Sequence, residues 1–165
     1  MTTKEEKMRN IIGAALLCLL PLAESAYGWQ GQVVKVSDGD TLQVQQGREI
    51  VKVRLYGVDC PEKRQNSGQQ AMQFTEQVLG RTVEVENVDR DRYGRTVGLV
   101  SSGGKLLNRE LVREGHAWFY AAYCTRQPLC TELRELERLA KSKRAGLWRE
   151  RNPLPPWEWR ARNPR

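Results

Sequence analysis

Apolar residues in the first half of the chain recur with a period of two. Val33-Val34-Lys35-Val36, Leu42-Gln43-Val44-Gln45 and Ile50 through Val58 each read as a strand, because alternate residues of a strand face opposite sides of a sheet. The breaks between them, Asp38-Gly39-Asp40 and Gln46-Gly47-Arg48, are turn formers, so the three strands form a meander. The period then lengthens. Ala71, Phe74, Thr75, Val78 and Leu79 fall at helical spacing and predict a helix over Gly68 to Leu79, stopped by Gly80. Alternation returns in Thr82 to Val88 and in Arg95 to Val100, on either side of the polar turn Asp89-Arg90-Asp91-Arg92-Tyr93-Gly94. Leu106, Leu107, Leu111 and Val112 mark a second helix closed by Gly115. A third helix is expected with Thr131 as N-cap, a stripe of Leu133, Leu136 and Leu139, and Gly146 as its stop. This order predicts an α+β fold, mostly β: a five-stranded OB-fold barrel with about three helices. An open α+β sheet would use the same elements.

The two ends of the chain differ from this pattern. Lys4, Lys7 and Arg9 precede an apolar run of about 13 residues, Ile11 to Ala23, which has the layout of an export signal and is short for a membrane span. Residues 1–28 are therefore read as a signal peptide, with Ala26-Tyr27-Gly28 as the preferred cleavage pattern, Ala23-Glu24-Ser25 as the second, and a retained anchor as the alternative. Residues 29–148 form the OB-fold domain. Residues 149–165 hold five arginines, four prolines and two tryptophans, a tail too short for a core of its own and expected to run extended or draped over the domain.

Charge narrows the partner. The three basic residues of the leader cancel Glu5, Glu6 and Glu24, so the remaining chain keeps the whole net charge of +7. A small, exported, basic protein is expected to meet a polyanion: nucleic acid first, an anionic membrane surface second. Periplasmic or secreted location follows from the leader, with no stable membrane association after cleavage and a monomer as the expected state. Cys124 and Cys130 flank a proline-containing loop and are expected to pair in an oxidising compartment. Cys60 is left as a small, half-buried thiol.

The inventory of reactive groups removes several chemistries. His116 is the only histidine, which excludes paired imidazole catalysis and histidine metal clusters; among Ala117, Trp118 and Phe119 it is expected to pack. Neither a Gly-x-Ser-x-Gly elbow nor a Walker loop is present. Carboxylates and arginines remain. The stretch Ser37 to Glu62 holds two acidic turns, Asp38-Gly39-Asp40-Thr41 and Asp59-Cys60-Pro61-Glu62, with Arg54 between them. A hairpin from Val33 to Val58 brings both turns towards one end of the sheet, gathering up to four carboxylates beside a guanidinium. Such a cluster suits a hard cation, calcium or magnesium, and a phosphate, and is read as a metal-dependent phosphodiesterase site. Each part also has a plainer reading: a β-turn for Asp38 and Asp40, an edge or salt-bridged residue for Arg54, and a solvated charged turn for Asp89 to Arg95.

Taken together and in order, Asp38-Gly39-Asp40-Thr41, Arg54-Leu55-Tyr56-Gly57-Val58-Asp59-Cys60-Pro61-Glu62 and Asp91-Arg92-Tyr93-Gly94-Arg95 resemble the staphylococcal nuclease (thermonuclease) family, and Asn108 to Gly115 resembles its second helix. The resemblance spans about Val33 to Trp148. It implies a calcium-dependent OB-fold endonuclease that cleaves DNA and RNA with little sequence specificity and leaves 3′-phosphates. By position, it implies Asp40, Asp59 and the main-chain carbonyl of Cys60 as calcium ligands, and Glu62 as the residue that orients or deprotonates the attacking water. Arg54 and Arg95 would hold the phosphate, with Arg92, Tyr93 and Tyr123 as substrate contacts. Tyr120 and Tyr123 would belong to a base-stacking wall, although Ala121 stands where one family tyrosine is expected. A non-catalytic OB module that binds single-stranded nucleic acid or a protein is the alternative, and an anionic-surface binder is a third.

Overall fold

A computed structural model describes residues 28–164. The expected leader lies outside these residues apart from Gly28. Five strands carry the fold: β1 (Gly28–Asp38), β2 (Thr41–Gln46), β3 (Glu49–Leu55), then β5 (Thr82–Arg90) and β6 (Thr96–Ser102), while β4 (Val58–Asp59) lies outside the barrel. They hydrogen-bond in the order β3-β2-β1-β5-β6, and a parallel pairing of β3 with β6 closes the ring. Closure leaves no free edge on these strands and gives the OB-type barrel. Leu42, Val44, Val53, Val83, Val85 and Val100 are fully buried inside it. They occupy alternate strand positions, the inward half of the period-two pattern.

Helices close the barrel and extend the core. α1 (Gly68–Val78) buries Ala71 and Thr75, and the Thr75 hydroxyl donates to the Gly39 carbonyl at 2.7 Å, tying the helix to the first acidic turn. A short β7 (Lys105–Leu106) leads into α2 (Leu107–Arg113). Asn108 on α2 is wholly buried; its amide donates to the carbonyls of Tyr56 (2.8 Å) and Gly98 (3.3 Å), and its oxygen accepts from the Val100 N–H. β8 (Trp118–Phe119) pairs with β4. α3 (Leu129–Ser142) packs on α2, with Arg109 and Glu132 in an ion pair at 2.8 Å. The Cys124–Cys130 disulfide is present.

Four local expectations need correction. Ile50 to Val58 is not one strand, because Gly57 takes a left-handed φ of 73° that only glycine adopts cheaply; the chain turns there, and Val58–Asp59 leaves the barrel for β8. Thr131 does not cap α3, which starts two residues earlier; its hydroxyl donates to Gln127 Oε1 at 2.8 Å instead. Leu139 is exposed and Ala140 buried, so the inner stripe of α3 runs Leu129, Leu133, Leu136, Ala140, following the 3.6-residue turn. The tail is not merely extended: Pro156–Arg162 forms α4, with proline at the first helical position. Among the described residues no helix is long and apolar enough to cross a membrane.

Candidate active site

Register determines where the acidic turns meet. Thr41 lies directly across from Arg54 in the β2–β3 ladder, so the residue before Thr41, Asp40, comes within reach of the Arg54 guanidinium. The turn at Tyr56-Gly57 folds the chain back so that Asp59 approaches the same guanidinium. Arg54 Nη2 donates to Asp59 Oδ1 at 2.6 Å. Arg54 Nη1 stands 2.5 Å from Asp40 Oδ1 in an ion pair that is out of hydrogen-bond alignment. The Cys60 N–H closes the circuit by donating to Asp40 Oδ2 at 2.5 Å. Both carboxylates are nearly or wholly shut off from solvent, Asp40 at 5% and Asp59 at 0% exposure.

Glycine is required at two positions around this cluster. A Cβ on Gly39 would press on Cys60 and Ala71, so the first acidic turn can lie flat on the second. A Cβ on Gly68 would collide with the Glu62 carbonyl, so α1 can start directly beneath the Glu62 turn. That turn is further held by Gln65, whose N–H donates to the Glu62 carbonyl at 2.7 Å and whose Oε1 accepts from the Glu62 N–H at 3.1 Å.

Burial and mutual charge shape the protonation of the cluster. Burial, reinforced by the neighbouring Asp40 charge, pushes the Asp38 carboxyl up to about 7 against the opposing pull of Arg54. Burial also raises Asp59, although hydrogen bonds from Arg160 and the charge of Arg54 pull it down. Arg54 stays charged, since Asp40 and Asp59 outweigh the burial that would lower it. Burial raises the Cys60 thiol well above its usual range, and the side chain is fully buried rather than half-buried.

The second guanidinium beside the carboxylates comes from an unexpected place. Arg160, on α4, donates to Asp59 Oδ1 (3.1 Å), Asp59 Oδ2 (2.8 Å) and Glu62 Oε1 (3.0 Å). Sequence reading missed it. Pro155-Pro156 ahead of Trp-Glu-Trp-Arg was the available signal, since proline favours the first helical turn. Arg95 is held by Asp91 instead, Nε to Oδ2 at 2.7 Å; this bond lowers the Asp91 carboxyl despite some burial. Arg92 and Tyr93 are exposed on the same loop, with both Arg92 and Arg95 over the Tyr93 ring. Tyr123 is exposed on a single 3₁₀ turn, its ring 4.9 Å from that of Tyr120. The structure therefore gathers Asp40, Arg54, Asp59, Cys60 and Glu62, and holds Arg95, Arg92 and Tyr93 on a separate loop.

Comparison with known proteins bears on this arrangement. The family model described as staphylococcal nuclease homologue matches residues 52–150. The chain belongs to the staphylococcal nuclease homologue family. The match includes Arg54, Asp59, Glu62 and Arg95 but stops short of Arg160. Family relatives include a protein named uncharacterized endonuclease from Escherichia coli O157:H7, 39% identical over 152 residues, spanning 87% of this chain and 97% of that protein. A protein named micrococcal nuclease from Shigella flexneri is 35% identical over 157 residues, covering 89% of each. Protein ParB of Escherichia coli is 38% identical over 168 residues, covering 95% of this chain and 94% of its own.

In this member of the staphylococcal nuclease homologue family the donors at the site fit a hard cation. Asp40, Asp59 and Glu62 offer only oxygen. The lone histidine stacks on Phe74, ring centroids 4.4 Å apart, and the Cys60 thiol is held protonated, so no soft ligand competes. The carboxylates already take two guanidinium groups, which shows their preference for positive charge. Among the described residues no three histidine, cysteine, aspartate or glutamate side chains form a ready-made cage. A dication here would thus draw on the two aspartates, with main-chain and water oxygens completing the six to eight ligands calcium takes.

Proposed function

We propose that the chain is a calcium-dependent nuclease that hydrolyses phosphodiester bonds of DNA and RNA with little sequence preference and leaves 3′-phosphates. One observation carries the reading: Asp40 and Asp59 converge on Arg54 with Glu62 on the same rim, in a chain 39% identical to a named endonuclease. Asp40, Asp59 and the Cys60 carbonyl would hold calcium, whose charge beside a phosphate favours the more negative transition state. Arg54, fixed by two carboxylates, presents its guanidinium to the phosphate without having to be ordered at the moment of reaction. Arg95 is the second phosphate ligand, exchanging its Asp91 partner for the substrate. Glu62 accepts a proton from the attacking water or holds that water in line. Arg92 and Tyr93 contact the backbone of the strand, and Tyr123 stacks on a base, a contact every base can make. Export to the periplasm or medium accords with the disulfide.

The test is digestion of duplex DNA and of RNA with calcium, with chelator, and with the products' end groups assigned. Calcium-dependent cleavage of both, leaving 3′-phosphates, is expected. Cleavage that continues in chelator with no other cation supplied contradicts the proposal.

A further inference from the structure

The helix α4 fills the site with two side chains of its own. Trp157 and Arg160 are three residues apart and so share one helix face. Arg160 makes three hydrogen bonds to Asp59 and Glu62. Trp157 lies parallel to Tyr120, centroids 5.4 Å and planes 5° apart, on the tyrosine pair proposed to receive a base. The segment is moored by Gln65 Nε2 to the Leu154 carbonyl (2.6 Å) and by Ser67 to Glu150 (3.1 Å). Gln65 is also the residue that holds the Glu62 turn, so tail and site share an anchor.

Arg160 and a dication compete for Asp59. A carboxylate offers about four lone-pair positions. Three on Asp59 are engaged, by Arg54 Nη2 and by both Arg160 amino groups, and the side chain has no solvent-facing surface. A guanidinium and a dication a few ångströms apart would also repel strongly in so buried a place. α4 is itself lightly held: seven residues long, with only Pro156 buried and the Arg160 side chain 38% exposed. Such an element sits at the low end of local stability and can detach without unfolding the barrel.

We propose that α4 is an internal latch in which Arg160 stands in the cation's place and Trp157 in the nucleobase's, so that a dication expels the one and frees the wall behind the other. The proposal rests on the cation reading above. Coupling of this kind is reciprocal: calcium loosens α4, and loosening α4 tightens calcium.

The experiment titrates the full chain with calcium chloride by calorimetry, as wild type, Arg160→Lys and Arg160→Ala, with circular dichroism confirming the same fold. Amide hydrogen exchange of residues 154–162 is followed with and without calcium. Arg160→Ala is expected to bind calcium on the order of ten-fold tighter than wild type or more, given that it loses several charge-assisted competitors. Arg160→Lys should fall between, and saturating calcium should speed exchange in α4. Should Arg160→Ala fold poorly, Trp157→Ala loosens the same helix while leaving every carboxylate contact, and it too should bind calcium more tightly. Equal or weaker calcium binding by the folded variants, or slower α4 exchange with calcium, overturns the latch and leaves the cation reading intact. Absence of calcium binding in every variant overturns both.

Discussion

Arg54 is fixed by its neighbours rather than by its own flexible chain. One guanidinium amino group meets Asp59 and the other Asp40, and removing either aspartate would strip a buried guanidinium of one of its two carboxylates, a costly change. Glu62 differs, being on the rim and held through its main chain by Gln65. Glu62→Gln should therefore leave the fold intact while lowering turnover of DNA by roughly 10²–10⁴-fold, the usual worth of a positioned base. Arg95→Ala should cost about 10²–10³-fold, as loss of one transition-state donor does. A variant that turns over like the parent shows its residue to be misassigned. Away from the site, burial holds the His116 imidazole below its ordinary range, Glu114 opposing and Arg149 adding to the depression. The unfolded chain therefore takes up a proton near its ordinary value of about 6.5 before the folded chain does. The stability this contributes is whole above that pH and is lost as pH falls through the folded pKa. The stability of wild type minus that of His116→Gln, from denaturant melts, should shrink as pH drops from 8 towards 5. A difference that stays flat contradicts this account.

Elements matter here through how closely they approach. α1 begins under the Glu62 carbonyl because Gly68 has no side chain. Gly68→Ala must push the helix or the turn aside, at a stability cost of about 1–3 kcal/mol. Turnover should fall further than stability explains, by as much as roughly 10²-fold, since a misplacement of about 1 Å near a reacting group can cost that much. Melts and turnover measured on one preparation would separate the two effects. The strands and the positions of α1 to α3 were legible in the chain because each buries a simple stripe with a period of two or 3.6. The meeting of Asp40 with Arg54 was legible too, because a hairpin's register follows from its turn residues. What escaped was non-local. Gly57 reads as one more strand residue until its positive φ sends Val58–Asp59 to β8. Arg160 belongs to a segment with no apolar period, and its position depends on Asp59, 101 residues away.

For the molecule as a whole, the net charge of +7 predicts a long-range pull towards polyanions that salt will weaken. If Arg54, Arg92 and Arg95 neutralise about three phosphates, affinity for duplex DNA should fall roughly forty-fold between 50 and 200 mM salt. Salt-independent binding, measured by titration of an uncleaved strand in chelator, would place recognition elsewhere. The pairing of β4 with β8 adds a constraint of time. Asp59 is seated by Trp118, so a chain still emerging from the ribosome carries Asp40 and Arg54 long before it has the strand that sets their companion. Arg160, which also bonds Asp59, follows it by 101 residues and so is made later than Trp118. Partly made copies thus lack a finished centre, whose closing groups arrive in the order Asp59, Trp118, Arg160.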